Sequence, residues 1–212
     1  MADLSDIQRI RSDPWEFLRG VRTQDQVDLR NPIKPFPVHL DYLKLYTRIW
    51  QKHPKILAPK SRRMIMSWTN IALYTWDFLF FRGRHNAFVS KKEDDSDELV
   101  RRAHFIATHL DPQIIPKEII PRVEIVYTKL KNVDLGSVIQ GFPSGANQLR
   151  QYTFSGILAD EMAFWDDAED MYSASYPTIQ GGGRFTGISS RNPGFFKRLV
   201  YDQLDQEISY DS

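Results

Sequence analysis

The sequence predicts an α/β fold in which a mostly parallel sheet is covered by helices on both faces. Short apolar segments typical of buried strands alternate with longer segments in which apolar residues recur every three or four positions. Such alternation favours parallel strands joined by helical crossovers. The chain has 212 residues, of which 42% are hydrophobic, so it is long enough to form one substantial core.

Composition excludes several classes of protein. Lys and Arg total 28 against 27 Asp and Glu, so any contact with nucleic acid has to be local. The absence of Cys excludes disulfides, thiolate metal sites and cysteine nucleophiles. No apolar run approaches the roughly 20 residues that span a bilayer, and the start "MADLSDIQRIRSDPWEF" is charged, unlike a secretion signal. We therefore expect an intracellular soluble protein with no membrane contact.

The first part of the chain is polar with scattered apolar residues and ends in the proline-rich stretch "NPIKPFPV". Because proline fixes φ and lacks a donor N–H, this stretch predicts an extended connector. We therefore expect an N-terminal arm and connector over residues 1–35 and the main domain over residues 36–212. The main domain opens with an amphipathic helix, which ends before Pro54 and whose apolar residues are spaced by three and four: Leu40, Leu43, Tyr46 and Trp50.

The rest of the chain alternates between strand and helix patterns. "KILAP" (55–59) predicts a short buried strand and "MIMSWTNIALYTWDFLFF" (64–81) a long apolar helix. "VEIVYTKL" and "GSVIQGF" predict two strands around a "KNVD" turn, which would add an antiparallel hairpin. The other predicted elements are a strand at 86–90, a helix at 91–110, a buried strand at 152–161 and a last strand at 184–190.

The segment "FSGILADEMAF" (154–164) carries the strongest local signal of chemistry. Its apolar strand ends in Asp160 and Glu161, which places two carboxylates at the carboxyl edge of a parallel sheet, where such sheets bind ligands. Neighbouring strand residues point in opposite directions, so one acid can hold Mg²⁺ while the other orients or deprotonates a water. The alternative is an ordinary solvated strand end.

The basic turn between strand 55–59 and the following helix has the length of a phosphate-binding loop. Such a loop runs eight residues to a final Ser or Thr. Counting back from Ser67, Lys60 takes the first glycine position, Ile65 the second, and Met66 the position of the usual lysine. The helix N-terminus would supply N–H groups, Ser67 a hydroxyl and Lys60 a cation. The turn residues Ser61, Arg62 and Arg63 could add contacts and charge, although a solvated basic turn is the plain alternative.

Three segments in this order resemble one family. "KSRRMIMS", then "GFPSGANQLRQYTFSGILADEMAFW" about a hundred residues later, then "YPTIQGGGRFTGISSRNP", are similar to the ATPase domain of the large terminase subunit of tailed bacteriophages and related viruses. The resemblance extends over residues 35–196. It implies a P-loop NTPase of the additional-strand (ASCE, RecA-like) type, which binds ATP and Mg²⁺. In that family some Walker A loops carry their lysine at the start.

The resemblance assigns roles to the residues already selected. By it, Lys60 matches the Walker A lysine and Ser67 the hydroxyl that contacts Mg²⁺ and the β-phosphate. Asp160 matches the Walker B metal ligand and Glu161 the catalytic carboxylate. Ile65 departs from the family, since a glycine is common at its position and a Cβ restricts the left-handed conformation.

Four further residues are implicated by the resemblance. Ser189 and Ser190 match the strand end that couples hydrolysis to movement, with a plain strand exit as the alternative. His39 stands near the adenine-contacting segment, where the family usually has Gln. Arg150 matches an arginine finger that reaches into a neighbour's ATP site, whereas a surface arginine paired with an acid is the alternative.

The function implied is that of a motor that hydrolyses ATP to move double-stranded DNA into a procapsid. Expected partners are DNA phosphates, a portal protein, a small terminase subunit and further copies in a homo-oligomeric ring, with a monomer in isolation. The expected location is the host cytoplasm and transiently the portal vertex, not the mature virion. The family's nuclease domain is expected to be absent from this chain. Another P-loop DNA motor, such as a helicase or recombination ATPase, and a decayed DNA-binding module remain alternatives.

Overall fold

The computed structural model describes residues 4–25, 27–62 and 64–202. Short 3₁₀ turns lie at Lys117–Ile119 and Met162–Phe164, and a π-helical turn at Arg198–Asp202 ends the described chain. The helices and strands, in chain order, are α1 (Leu4–Ser12), α2 (Pro14–Arg19), β1 (Arg22–Gln24), β2 (Ile33–Pro35), α3 (Asp41–Lys52), β3 (Lys55–Pro59), α4 (Met66–Phe80), β4 (His85–Ser90), α5 (Glu93–Thr108), β5 (Val123–Val126), β6 (Lys129–Asn132), β7 (Ser137–Pro143), α6 (Ala146–Leu149), β8 (Gly156–Asp160), α7 (Ala168–Gln180), β9 (Arg184–Ser189) and α8 (Phe195–Lys197).

The central sheet has seven strands in the order β3-β9-β8-β4-β7-β6-β5. The pairs β3–β9, β9–β8, β8–β4 and β4–β7 are parallel, whereas β6 and β5 are added antiparallel. This confirms the predicted α/β fold with a mostly parallel sheet. Strand β9 lies between β3, which precedes the basic loop, and β8, which leads into the acid pair. It is therefore the additional strand of the predicted fold type. None of the described helices is long and apolar enough to cross a membrane.

The core lies on both faces of this sheet. Helices α4 and α5 pack with one apolar cluster, and α7 and α8 with the other. In β4, Phe88 belongs to the first cluster while Ala87 and Val89 belong to the second. This alternation within one buried strand is expected for a parallel sheet that is covered on both sides.

The N-terminal segment packs into the first of these clusters. Ile10, Phe17 and Leu18 are fully buried there, and the Trp76 indole Nε1 donates a 2.8 Å hydrogen bond to the Ile10 carbonyl. Residues of α1 and α2 therefore contribute to the same core as α4.

Several elements differ from the sequence prediction. The single strand predicted at 123–130 is wrong, because Tyr127 turns the chain with φ of 54° and separates β5 from β6. The next turn lies at 133–136, two residues later than the predicted "KNVD" turn at 131–134, and Gly136 there has φ of 68°. The predicted antiparallel addition to the sheet is confirmed, with β5, β6 and β7 in succession. Helix α7 was not predicted.

Candidate functional site

The carboxyl ends of β3, β9 and β8 bring the selected residues together at one edge of the sheet. Lys60 follows β3, Ser189 ends β9, and Asp160 ends β8 with Glu161 directly after it. The Lys60 ammonium lies 2.5 Å from the Glu161 carboxylate, although the two residues are 101 positions apart. The basic loop and the acid pair therefore form one cluster, at the edge where parallel sheets bind ligands.

Asp160 is held by the first turn of α4. The Ser67 hydroxyl donates to the two Asp160 carboxylate oxygens at 3.0 and 3.3 Å. Asp160 is only 9% exposed, and burial raises the pKa of its carboxyl, which the nearby Lys60 charge only partly offsets. A buried carboxylate is costly in its charged form unless a cation lies beside it.

The oxygen donors of Ser67 and Asp160 fit Mg²⁺. This ion prefers oxygen ligands and is usually held by one or two carboxylates together with substrate phosphates rather than by an all-protein cage. With Ser67 and Asp160 as its protein ligands, Mg²⁺ here would take its remaining ligands from a phosphate and water.

Glu161 is fixed by four donors. Besides the Lys60 ammonium, the Ser190 backbone N–H and hydroxyl each donate to its Oε2 at 2.9 Å, and the Ser189 hydroxyl lies 3.4 Å from the same oxygen. Burial raises the pKa of Glu161, but the hydrogen bonds and charge of Lys60 and Ser190 outweigh it, so the pKa lies below its ordinary value. Glu161 is thus a carboxylate at neutral pH, able to accept a proton or orient a water.

Supporting contacts hold this cluster in place, and sequence reasoning did not find them. The Lys60 backbone N–H donates to the Ser189 carbonyl at 2.8 Å, which ties the loop to β9. The Trp165 indole donates to the Asp160 carbonyl at 3.1 Å, and the Asn192 amide donates to the Ala163 carbonyl at 2.8 Å. The only sequence signal for Trp165 and Asn192 is their position shortly after β8 and β9, in "MAFW" and "SSRNP".

The loop before α4 presents a helix N-terminus to this cluster. Among the described residues no side chain caps α4, so N–H groups of its first turn are left for another acceptor, and an anion is the acceptor that such an end favours. Ser61 and Arg62 are exposed on the loop. Arg63, the other predicted phosphate contact, lies outside the described residues.

Ile65, at the N-cap of α4, has an unusual backbone conformation. Its φ of 57° and ψ of 11° lie in the left-handed region, which a β-branched residue rarely adopts. Left-handed backbone costs a residue with a Cβ about 1–2 kcal/mol, and strain of this kind concentrates at ligand-binding sites. Ile65 therefore has a backbone conformation that glycine would adopt without this cost.

Comparing Ile65→Gly with Ile65→Ala measures this strain. Both variants remove the half-buried side chain, but only glycine also relieves the left-handed backbone, so we expect the glycine variant to be about 1 kcal/mol more stable than the alanine variant. Urea unfolding of the two variants under the same conditions provides the measurement. An alanine variant as stable as the glycine variant would show that the loop is not strained at this position.

Two predicted site residues lie apart from the cluster. His39 is exposed in the turn before α3. Arg150 is exposed directly after α6, and within the described residues its side chain makes no hydrogen bond or ion pair. The described residues therefore include no acid paired with Arg150, as the alternative of a paired surface arginine would require.

Comparison with known proteins gives matches to solved structures only. No family model and no curated protein matches the sequence. The ATPase domain of the large terminase of Thermus phage P74-26, crystallised as a mutant, matches with a TM-score of 0.55 and 13% identity, covering 73% of this chain and 66% of that one. The large terminase of bacteriophage HK97 matches with a TM-score of 0.61 and 11% identity, covering 95% and 42%. The chain has the fold of a phage large terminase ATPase domain.

A further match is the large terminase of the thermophilic bacteriophage D6E in complex with ADP, with a TM-score of 0.54 and 14% identity over 74% of this chain and 39% of that one. The resemblance seen in the three sequence segments is thus confirmed at the level of the fold. The chain spans between 39% and 66% of the length of the terminase chains it matches. In the terminase ATPase fold found here, β9 separates the loop strand from the acidic strand.

Proposed function

We propose that this chain is the ATPase motor domain of a viral genome-packaging terminase, which hydrolyses ATP and moves double-stranded DNA into a procapsid. The observation that carries the proposal is the meeting of Lys60, Ser67, Asp160 and Glu161 at one sheet edge. These four side chains supply a phosphate-binding cation, a hydroxyl and carboxylate that fit Mg²⁺, and an ionised carboxylate. The fold match to an ADP-bound large terminase supports the nucleotide.

In this proposal the work of hydrolysis is divided among these residues. A triphosphate on the N-terminus of α4 would meet N–H groups there and the Lys60 ammonium. Ser67 and Asp160 would hold Mg²⁺, which when bound neutralises the charge that develops on the transferring phosphoryl group. Glu161 is kept ionised and oriented by Ser190, so that it can position the attacking water or take its proton.

The end of β9 supports a link between hydrolysis and movement. Ser190 contacts Glu161, and the Ser189 hydroxyl accepts a 3.0 Å hydrogen bond from the Ala163 N–H, so both serines join β9 to the segment after β8. Loss of the terminal phosphate would change the partners of Lys60 and Glu161, and through them the hydrogen bonds of the β9 end. In this proposal DNA is contacted through its phosphates, so binding is salt-sensitive and indifferent to sequence.

The proposed motor works in a host cell at the portal vertex of a procapsid. It would assemble there as a homo-oligomeric ring with the portal protein and a small terminase subunit, and it would not remain in the mature virion. Assembly into a ring follows from the proposed role of Arg150, which has to reach a neighbouring copy to act on ATP.

Replacing Lys60 with alanine tests the proposed phosphate contact. Loss of a positioned cation that stabilises phosphoryl charge typically lowers kcat by about 10²- to 10³-fold. Phosphate release measured with the protein assembled on portal-bearing procapsids and DNA should fall to that extent, while Lys52→Ala, which removes an exposed lysine at the end of α3, should have no effect.

The same assay separates the alternatives. Equal hydrolysis by the parent and Lys60→Ala would remove Lys60 from the site. Full stimulation by naked single-stranded DNA, with no response to procapsids, would indicate a helicase or recombination ATPase instead. Absence of any ATP binding would indicate a decayed DNA-binding module.

A further inference from the structure

A cleft of about 470 Å³ opens beside the phosphate loop. Its lining includes Lys60, Ser61 and Ser190, which belong to the cluster described above or to its loop, together with Met64, Phe196 and Tyr201. This volume lies within the range of about 300–1,000 Å³ that small-molecule sites occupy. The cleft therefore adjoins the place where the proposed function puts the phosphates.

The lining combines two kinds of chemistry. Lys60 offers a cation, Ser61 and Ser190 offer hydroxyl groups, Arg191 and Lys197 add positive charge, and Met64, Phe196 and Tyr201 add a thioether and two aromatic rings. None of the described residues that line the cleft is acidic. A ligand that matches this lining has an anionic part and a flat, apolar part, as a nucleoside phosphate has.

Tyr201 is the exposed aromatic ring of this lining. It lies in the π-helical turn Arg198–Asp202, and Phe196 and Leu199, each 4% exposed, anchor the turn and the helix before it in the second core cluster. The Tyr201 side chain itself is 54% exposed. Single π-helical turns are rare and frequently occur at functional sites. Phe196 and Leu199 therefore hold the Tyr201 ring at the surface of the cleft.

We infer that the base of the nucleoside triphosphate lies in this cleft, stacked on Tyr201 and bordered by Met64. The inference rests on the proposed function and adds the residues that recognise the nucleoside. An aromatic ring can stack on any base, and one such contact changes a dissociation constant by about 5- to 150-fold. His39, which the resemblance placed near the adenine, is not among the described residues that line the cleft.

Two ligands separate the base contact from the phosphate contacts. We would measure binding of ATP and of inorganic tripolyphosphate to the full chain by titration calorimetry, with Mg²⁺ present. Tyr201→Ala should weaken ATP binding about 5- to 150-fold and leave tripolyphosphate binding unchanged, while Tyr201→Phe should keep both. His39→Ala should also keep both. Lys60→Ala should weaken both ligands.

The outcomes are distinct. If Tyr201→Ala binds ATP as the parent does, or if only His39→Ala weakens ATP, the base lies elsewhere and the inference is wrong while the proposed function stands. Equal loss of ATP and tripolyphosphate in Tyr201→Ala would show a structural role and would also overturn the inference. If the parent chain binds neither ligand, the proposed function fails, and the inference fails with it.

Discussion

Replacing Glu161 with glutamine is expected to leave ATP bound while hydrolysis falls by about 10²- to 10⁴-fold. A glutamine oxygen in the place of Oε2 can still accept hydrogen bonds from the Ser190 N–H and hydroxyl, so β9 should keep its position, whereas the amide NH2 in the place of Oε1 can no longer accept from Lys60. The amide cannot take a proton from water, and it removes the negative charge that pairs with the Lys60 ammonium. Lys60 is then freer to contact phosphate, so ATP affinity should stay the same or rise.

Single-turnover hydrolysis and ATP binding, measured on the same assembled protein, check this expectation. Glu124→Gln is the matched control, since Glu124 is exposed on β5 at the far edge of the sheet. Asp160→Asn provides a contrast, because it should weaken Mg²⁺-dependent binding itself. Hydrolysis by Glu161→Gln at the parent rate under saturating ATP would assign Glu161 a structural role only.

The central part of this cluster could be predicted because its residue types and spacing are local. "ILADE" ends a buried strand in two acids, and Lys60 is the first residue of the eight-residue stretch that ends at Ser67. Parallel strands then bring both segments to one edge. The donation of the Ser190 N–H to Glu161 could not be predicted in the same way, since it depends on the register of β9 against β8.

The turn at Tyr127 and helix α7 were not predicted, each for a different physical reason. The segment "VEIVYTKL" contains no glycine or proline, so the turn at Tyr127 carries no such signal in the sequence. A hydrogen bond of 2.7 Å from the Tyr127 hydroxyl to Glu93 accompanies this turn. Helix α7 contains Pro177, which argues against a helix in sequence, yet its buried residues include Met171 and Tyr172 of the second cluster.

The N-terminal segment shows that average composition does not predict which residues are buried. It is polar on average, but its few apolar residues are large, and Ile10, Phe17 and Leu18 are buried completely. Burial of such side chains stabilises a fold by about 1.5–3 kcal/mol each, so a small number of them is enough to hold two short helices against the core. Average polarity therefore hides a segment that belongs to the core.

Arg150 is the residue proposed to act on another copy of the chain. It is exposed just after α6, and no ion pair or hydrogen bond holds its side chain within the described residues. A guanidinium that reaches a neighbour's ATP stabilises charge on the transferring phosphoryl group and can raise kcat by about 10³- to 10⁵-fold. We therefore expect the dilute monomer to bind ATP but hydrolyse it very slowly, with activity rising steeply on ring assembly.

Mixing two inactive variants tests whether Arg150 acts in trans. Arg150→Ala subunits keep their own Glu161, and Glu161→Gln subunits keep Arg150, so an interface that pairs an intact site with an intact arginine should regain part of the lost activity. Each variant alone should be reduced by the factors given above, whereas Arg82→Ala, which removes an exposed arginine after α4, should behave as the parent. Hydrolysis is measured across mixing ratios on procapsids, with nucleotide binding and assembly of each variant checked separately. Restoration requires contact between subunits. If the mixture stays inactive although both variants assemble and bind ATP, or if the dilute monomer is fully active, Arg150 is an ordinary surface arginine.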